Sequence, residues 1–283
     1  MKACTMPIHI SVITTLAAAL LMMLPFTAMA QNSNPQDRIA ERDLAEMKRL
    51  LPGIYTNEEQ VYFQDNLDLP ASARVPRGEL QVRRTGEGFS TYMDYGDGNP
   101  IRARHDYRVE NGEIQVIAVR YGRADCSRTV TREFEHFRMD GCDGPLVFSK
   151  DGIQITRGDK TFVMRRARTF KCWVSPRKTD GSYAFYNNLI LHDQGGRIWI
   201  DATADHPRVG LKMRSVEWPT GVNRDSLVLY TYQGNDADYS PGYVWADPDA
   251  ERLAINSRWI QASCTQGDET YTPNINLRTG SGN

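Results

Sequence analysis

"IRARHDYRVENGEIQVIAVR", residues 101–120, decides how this chain folds. Ile101, Ala103, His105, Tyr107 and Val109 alternate with Arg102, Arg104, Asp106, Arg108 and Glu110. Alternation at period two marks a strand with one face toward a core and one toward water. In the middle stands Asn111-Gly112. That pair tolerates positive φ at both positions and is the strongest short hairpin signal. The stretch therefore predicts two antiparallel strands joined by a tight turn.

The pattern repeats along the chain. "GELQVRR" (78–84), "GFSTYMDY" (88–95) and "VFSKDGIQITRG" (147–158) are short strand-like runs, the last with an Asp151-Gly152 turn. "ILHDQGGRIWIDA" (190–202) offers a looser turn at Gln194 to Gly196, and "SLVLYTYQ" (226–233) and "RWIQASC" (258–264) read as strands. "REFEHFRM" (132–139) is open between helix and strand. Strands at such short intervals with tight turns predict an all-β antiparallel sandwich or barrel.

Two segments read as helices. In "NPQDRIAERDLAEMKRLLPG" (34–53), Asn34 suits the N-cap and Pro35 the first helical position, while Ile39, Leu44, Met47 and Leu51 share a face and Pro52-Gly53 ends the run. "WADPDAERLAI" (245–255) predicts a short helix capped by Asp247 with Pro248 next.

The first thirty residues have another character. Met1-Lys2 precedes an apolar run from Ile10 to Met23, and Ala28-Met29-Ala30 is a small-x-small cleavage pattern. This reads as a secretory signal peptide with Gln31 first in the mature chain, which predicts a periplasmic or secreted product without a membrane span. Cys126, Cys142, Cys172 and Cys264 remain after Cys4 leaves. In an oxidising compartment they read as two disulfides, with three pairings open. Their spacing fits no zinc pattern. The net charge of −1 argues against nucleic-acid binding. The chain carries no GxSxG, Walker loop, GxGxxG or HExxH, and its histidines have no metal-site spacing.

Arg102 and Arg104 are the candidates for a site. They share a strand face, and guanidiniums about 7 Å apart can each take a carboxylate in bidentate fashion. A solvated outer face explains them as simply. Arg166 and Arg168 repeat the spacing with less around them to suggest a site.

Several stretches together resemble the CpcT/CpeT family of phycobiliprotein chromophore lyases. They are "LPGIYTNEEQ" (51–60), "STYMDYGDGNPIRARHDYRV" (90–109) and "DGCDGPLVF" (140–148), followed by Cys172, in an order and spacing that agree over residues 44 to 200. The resemblance implies a calycin- or lipocalin-like antiparallel β-barrel holding a bilin, an open-chain tetrapyrrole, and loading it onto a cysteine of an acceptor protein. It implies Arg102 and Arg104 at the barrel's mouth against the bilin's propionates. Tyr92, Asn57 and Gln60 follow as further binding positions, and Asp94 as the proton donor. It pairs Cys142 with Cys172, which leaves Cys126 with Cys264. The expected layout is a signal peptide at 1–30, the barrel with its N-terminal amphipathic helix at 31–204, a small packed extension at 205–266 and a disordered tail at 267–283. A homodimer is compatible with this reading. The competing expectation is a non-catalytic barrel that binds a lipophilic small molecule or serves envelope assembly.

Overall fold

Helix α1 (Pro35–Leu50) begins where the sequence places it. Asn34 caps it by accepting the Gln36 N–H at 3.2 Å, and Lys48 and Arg49 lie in its last turn, where cations suit the helix dipole. The structure, a computed structural model, describes residues 34–268 apart from 87, 121, 122, 143, 219 and 220. The signal-peptide expectation and the tail beyond Asp268 lie outside the described residues. Of the expected apolar face, Leu44, Met47 and Leu51 do pack inward, but Ile39 is exposed and Ala40 takes its place. The stripe is turned because Asp43 is drawn inward to Arg132 at 2.9 Å.

Ten strands follow: β1 (Gly53–Thr56), β2 (Glu79–Thr85), β3 (Gly88–Asp94), β4 (Ile101–Glu110), β5 (Glu113–Arg120), β6 (Arg123–Glu133), β7 (His136–Asp140), β8 (Leu146–Phe148), β9 (Gly152–Arg157) and β10 (Lys160–Arg166). Each pairs antiparallel with the next, and β1 pairs with β10 to close the barrel. The Asn111-Gly112 turn has φ of 54° and 79°, the double left-handed pair that a two-residue hairpin needs. Gly112 also lies against Gln36, and its N–H donates to Asp37 at 2.7 Å. The decisive hairpin is thereby tied to the first turn of α1.

The seam of the barrel is unusual. β1 offers only two residues to β10, Tyr55 opposite Arg166 and Thr56 opposite Arg165. Beyond Thr56 the chain turns into α2 (Glu58–Asn66), a helix that is not one of the two segments the sequence reads as helical. Two side-chain carboxamides fill the gap. Gln60 donates to the Thr161 carbonyl at 2.9 Å and accepts the Val163 N–H at 3.0 Å, as a neighbouring strand would. Asn57 accepts the Gly78 N–H at 2.6 Å and donates to the Pro76 carbonyl at 2.8 Å. Asn57 and Gln60 also bond each other at 3.3 Å, so one chain of amides crosses the seam.

The barrel interior is a packed core. Leu80, Val82, Phe89, Met93, Ile114, Val116, Phe137, Phe148, Phe162 and Met164 are all buried in one cluster with Met47 of α1 and its C-cap Leu51. His105 points inward, stacks on Phe89 at 4.9 Å and meets the Thr91 hydroxyl at 3.0 Å.

The barrel ends at Arg166, not near residue 204. β11 (Thr169–Pro176), β12 (Tyr186–His192), β17 (Arg252–Asn256) and β18 (Ile260–Gln266) form a sheet in the order β12-β11-β18-β17. β13 (Gln194–Ile200), β14 (Val209–Val216), β15 (Ser226–Gln233) and β16 (Gly242–Ala246) form a second sheet in chain order. Between the sheets lies a separate core that includes Phe170, Leu191, Leu211, Met213, Leu227, Leu229, Leu253 and Ile260. Residues 169–200 leave the barrel because β11 finds β18 as its partner, almost a hundred residues downstream. No hairpin forms at Gln194 to Gly196, since β12 and β13 belong to different sheets. The expected helix after Asp247 is absent too. A turn closed by the Ala250 N–H on the Asp247 carbonyl at 3.0 Å leads into β17, whose Leu253 is buried opposite Cys264.

The disulfide pairing expected from the resemblance is corrected. Cys126 is bonded to Cys142 and Cys172 to Cys264. The β6–β7 hairpin returns Cys142 to within 5.9 Å of Cys126, Cα to Cα. Cys172 and Cys264 are register partners across β11 and β18, which leaves neither within reach of the barrel pair. The bridges close loops of 16 and 92 residues, worth about 3 and about 4–5 kcal/mol on chain-entropy grounds. A non-reducing peptide map is expected to join 126 with 142 and 172 with 264, and any crossed pair refutes the assignment.

Replacing Asn57 with leucine strands one buried donor and one acceptor, at about 1–3 kcal/mol each. Asn57→Leu is therefore expected to lower the melting temperature by roughly 5–15 °C. Gln60→Leu, whose amide is more exposed, is expected to lower it less. An unchanged thermal midpoint for Asn57→Leu would show that the seam does not depend on its amides.

Candidate functional site

Strand β4 presents Arg102 and Arg104 on one face, as the alternation predicts, but that face is the outside of the barrel. Both arginines are exposed, while Ile101, Ala103 and His105 face the core side. The expectation of guanidiniums turned into the mouth of the barrel is corrected: the pair points to water, because Phe89, Met93 and His105 take the inner face of the same strands.

On the outer face the register builds two cross-strand rows. Gln81 of β2, Tyr92 of β3 and Arg102 of β4 lie side by side, and Arg83, Ser90 and Arg104 form the next row. The Arg102 guanidinium sits over the Tyr92 ring at 5.0 Å. Arg104 is held by Asp106 at 3.0 Å and Arg83 meets Gln81 at 3.3 Å. Cross-strand spacing puts the backbones of Arg83 and Arg104 about 10 Å apart. Three guanidiniums and one tyrosine thus stand on the outer face of three adjacent strands.

That wall runs into a groove of about 590 Å³, within the range of ligand pockets. One side is the outer surface of β1 and β2, with Ile54, Gln81 and Arg83; the other is the near end of the sandwich, with Arg168 and Gln266. Arg166 and Arg168 line it as well, but their hydrogen bonds are structural. Arg166 donates to the Leu50 carbonyl at 2.6 Å and to the Pro52 carbonyl, closing the C-terminal end of α1. Arg168 bonds Asp193 at 2.6 Å and the Pro248 carbonyl at 2.5 Å.

The remaining expected site residues stand elsewhere. Asn57 and Gln60 hold the seam. Asp94 is almost fully buried, accepts the Gly96 N–H at 2.7 Å in the turn between β3 and β4, and does not line the groove. Of the six residues, then, Arg102, Arg104 and Tyr92 come together. Arg83, which joins them, was missed because nothing in "GELQVRR" says which strand β2 lies beside.

A second polar cluster joins the barrel to the sandwich and left no sequence signal. Glu58, in the first turn of α2, is buried between Lys212 of β14 at 2.5 Å and Arg77. Burial pushes the Glu58 carboxyl up, but Arg77 and Lys212 outweigh it and hold it below the ordinary value of 4.5. Burial brings Lys212 down to about 8, with Glu58 opposing. The carboxylate sees several cations and each cation sees one carboxylate, so their shifts differ. Gly195, at φ 84°, comes so close to the Glu58 carboxylate that a Cβ there would collide with it.

No protein-family model, curated protein or solved structure matches the chain. Among the described residues no cluster of His, Cys, Asp or Glu could hold a metal ion, and no helix is long and apolar enough to cross a membrane.

His192 lies wholly buried near this cluster. Burial lowers it from 6.5 to about 4; Glu58 raises it and Arg77 lowers it further. The unfolded chain takes up a proton near pH 6.5 that the folded chain refuses until about 4. Stability is therefore expected to fall as pH drops through that window, by about 3 kcal/mol in all. Urea midpoints at pH 7, 5.5 and 4.5 should decline less steeply for His192→Gln than for the parent chain. Parallel declines would exclude His192 as the cause.

Proposed function

We propose that this chain is a binding protein for a flat, carboxylate-bearing molecule, gripped on the outer wall of the barrel at Arg83, Arg102 and Arg104. An open-chain tetrapyrrole is the ligand class that the family likeness supplies. The observation that supports this reading most is the convergence of three guanidiniums and Tyr92, from three adjacent strands, beside a groove of about 590 Å³. Guanidiniums on neighbouring strands suit two propionates, and Tyr92 and the groove suit a planar body.

The reading is one of binding, with ligation left as a further possibility of the family likeness. The four described cysteines are all in disulfides, so the thiol that ligation needs is the acceptor protein's. Asp94, the acid that ligation would use, is buried and accepts the Gly96 N–H. The alternative of a lipophilic guest inside the barrel is the weaker one, because the charged side chains Arg102 and Arg104 stand on the outer face.

Titration of the exported chain with biliverdin, followed by visible absorbance, checks the proposal. Saturable binding with a spectral shift is expected, weakening as salt rises. Arg102→Ala and Arg104→Ala should each cost about tenfold or more in affinity, the value of one charge-assisted hydrogen bond. Biliverdin dimethyl ester, which lacks the carboxylates, should bind correspondingly less well. Equal binding of acid and ester, or no spectral change at all, counts against the site.

A further inference from the structure

The sheet β13-β14-β15-β16 has two outer halves with different surroundings. On the β13 and β14 half, the barrel covers it: Lys212 reaches Glu58, and the Arg214 guanidinium lies over the Tyr62 ring of α2 at 3.9 Å. The β15 and β16 half is open. There the register continues the row of Lys212 into Tyr230 and Tyr243, and the row of Arg214 into Val228 and Trp245. Tyr243 is 64% exposed and Trp245 59%. The Tyr230 and Tyr243 rings lie 6.2 Å apart, tilted by 41°. Tyr243 and Trp245 are two residues apart on one strand, so they project from the same face about 7 Å apart.

Large aromatic side chains set in a row on a rigid sheet, and left in water, mark an interaction surface. The charges around this one decide its partner. Arg214 donates to the Tyr230 hydroxyl at 3.1 Å and is stacked between rings, Lys212 is engaged by Glu58, and Arg224 is paired with Asp247 at 3.5 Å. Each of these cations is thus engaged, and the surface most open to water beside them is aromatic. Within its rows the aliphatic Val228 is only 8% exposed, so the rings make up its open surface. What it presents is the negative faces of aromatic rings, rimmed by a tyrosine hydroxyl and a closed ion pair. Pyranose rings complement that surface. Their C–H faces carry partial positive charge that suits the ring face, and their hydroxyls stay at the wet rim.

We infer that Tyr230, Tyr243 and Trp245 form a binding platform for a neutral polysaccharide. It is separate from the arginine wall and does not depend on it. Two aromatic side chains in line let successive sugars of one extended chain rest on the same strand.

The test is calorimetry, with tryptophan fluorescence as a second readout, using the full chain and chitohexaose, cellohexaose and maltohexaose. At least one of these is expected to bind saturably and to quench fluorescence. Tyr243→Ala with Trp245→Ala should weaken binding about tenfold or more at an unchanged melting temperature. Phe185→Ala, an exposed aromatic on the other sheet's side of the sandwich, should leave it unchanged. The inference is overturned if none of the three sugars binds at millimolar concentration, or if Phe185→Ala weakens binding as much. It is equally overturned if the protein dimerises and the double variant makes it monomeric, since a second copy would then be the occupant.

Discussion

Everything in the barrel depends on how its seam is closed. A strand of four residues cannot span the gap between β2 and β10, and two amide side chains complete what it begins. The carboxamides of Asn57 and Gln60 each combine a donor and an acceptor, as a peptide group does, so they can stand in for backbone rungs. A carboxylate could not satisfy both partners, because it only accepts. Because Asn57 and Gln60 sit at the start of α2, the same bonds lay that helix across the seam. From there α2 brings Glu58 to Lys212 and Tyr62 to Arg214. Barrel closure and the joint with the sandwich are therefore one construction.

The arginines divide by what they bond. Arg166 and Arg168 spend their N–H groups on carbonyls and on Asp193, ending a helix and bracing the passage between barrel and sandwich. Arg102 lies over the Tyr92 ring, Arg104 pairs with Asp106 and Arg83 meets Gln81, all on the barrel's outer face. An exposed ion pair such as Arg104 with Asp106 is worth little in stability, so its loss to a ligand costs little. The wall can exchange those local contacts for a carboxylate without loosening the fold. The buried Glu58 cluster cannot, because removing one of its members leaves uncompensated charge in a dry interior.

Parts of this were legible in the sequence for reasons that are local. Asn34-Pro35 begins a helix because a side-chain oxygen and a fixed φ suit a helix start. Asn111-Gly112 makes a hairpin because both residues accept positive φ. The motif Asn57-x-x-Gln60 was visible as a candidate, yet its purpose was not, since its partners Pro76, Gly78, Thr161 and Val163 are set by sheet closure. Arg83 and Glu58 were missed for the same reason. Their neighbours come from strands that no sequence spacing relates to them.

By itself, the sequence determined that the chain is built of antiparallel hairpins after a capped helix, and that Arg102 and Arg104 share a face. Period-two alternation and turn chemistry act within a few residues, so they are written where they operate. Only the tertiary structure decided which face is the inside, which cysteines meet, and where the barrel stops. Those outcomes turn on how ten strands fill a closed volume and on β11 finding β18, and both are sums over distant residues. A wet face and a ligand-gripping face carry the same arginines in the same alternation. The packing of the opposite face, not the arginines, sent them outward.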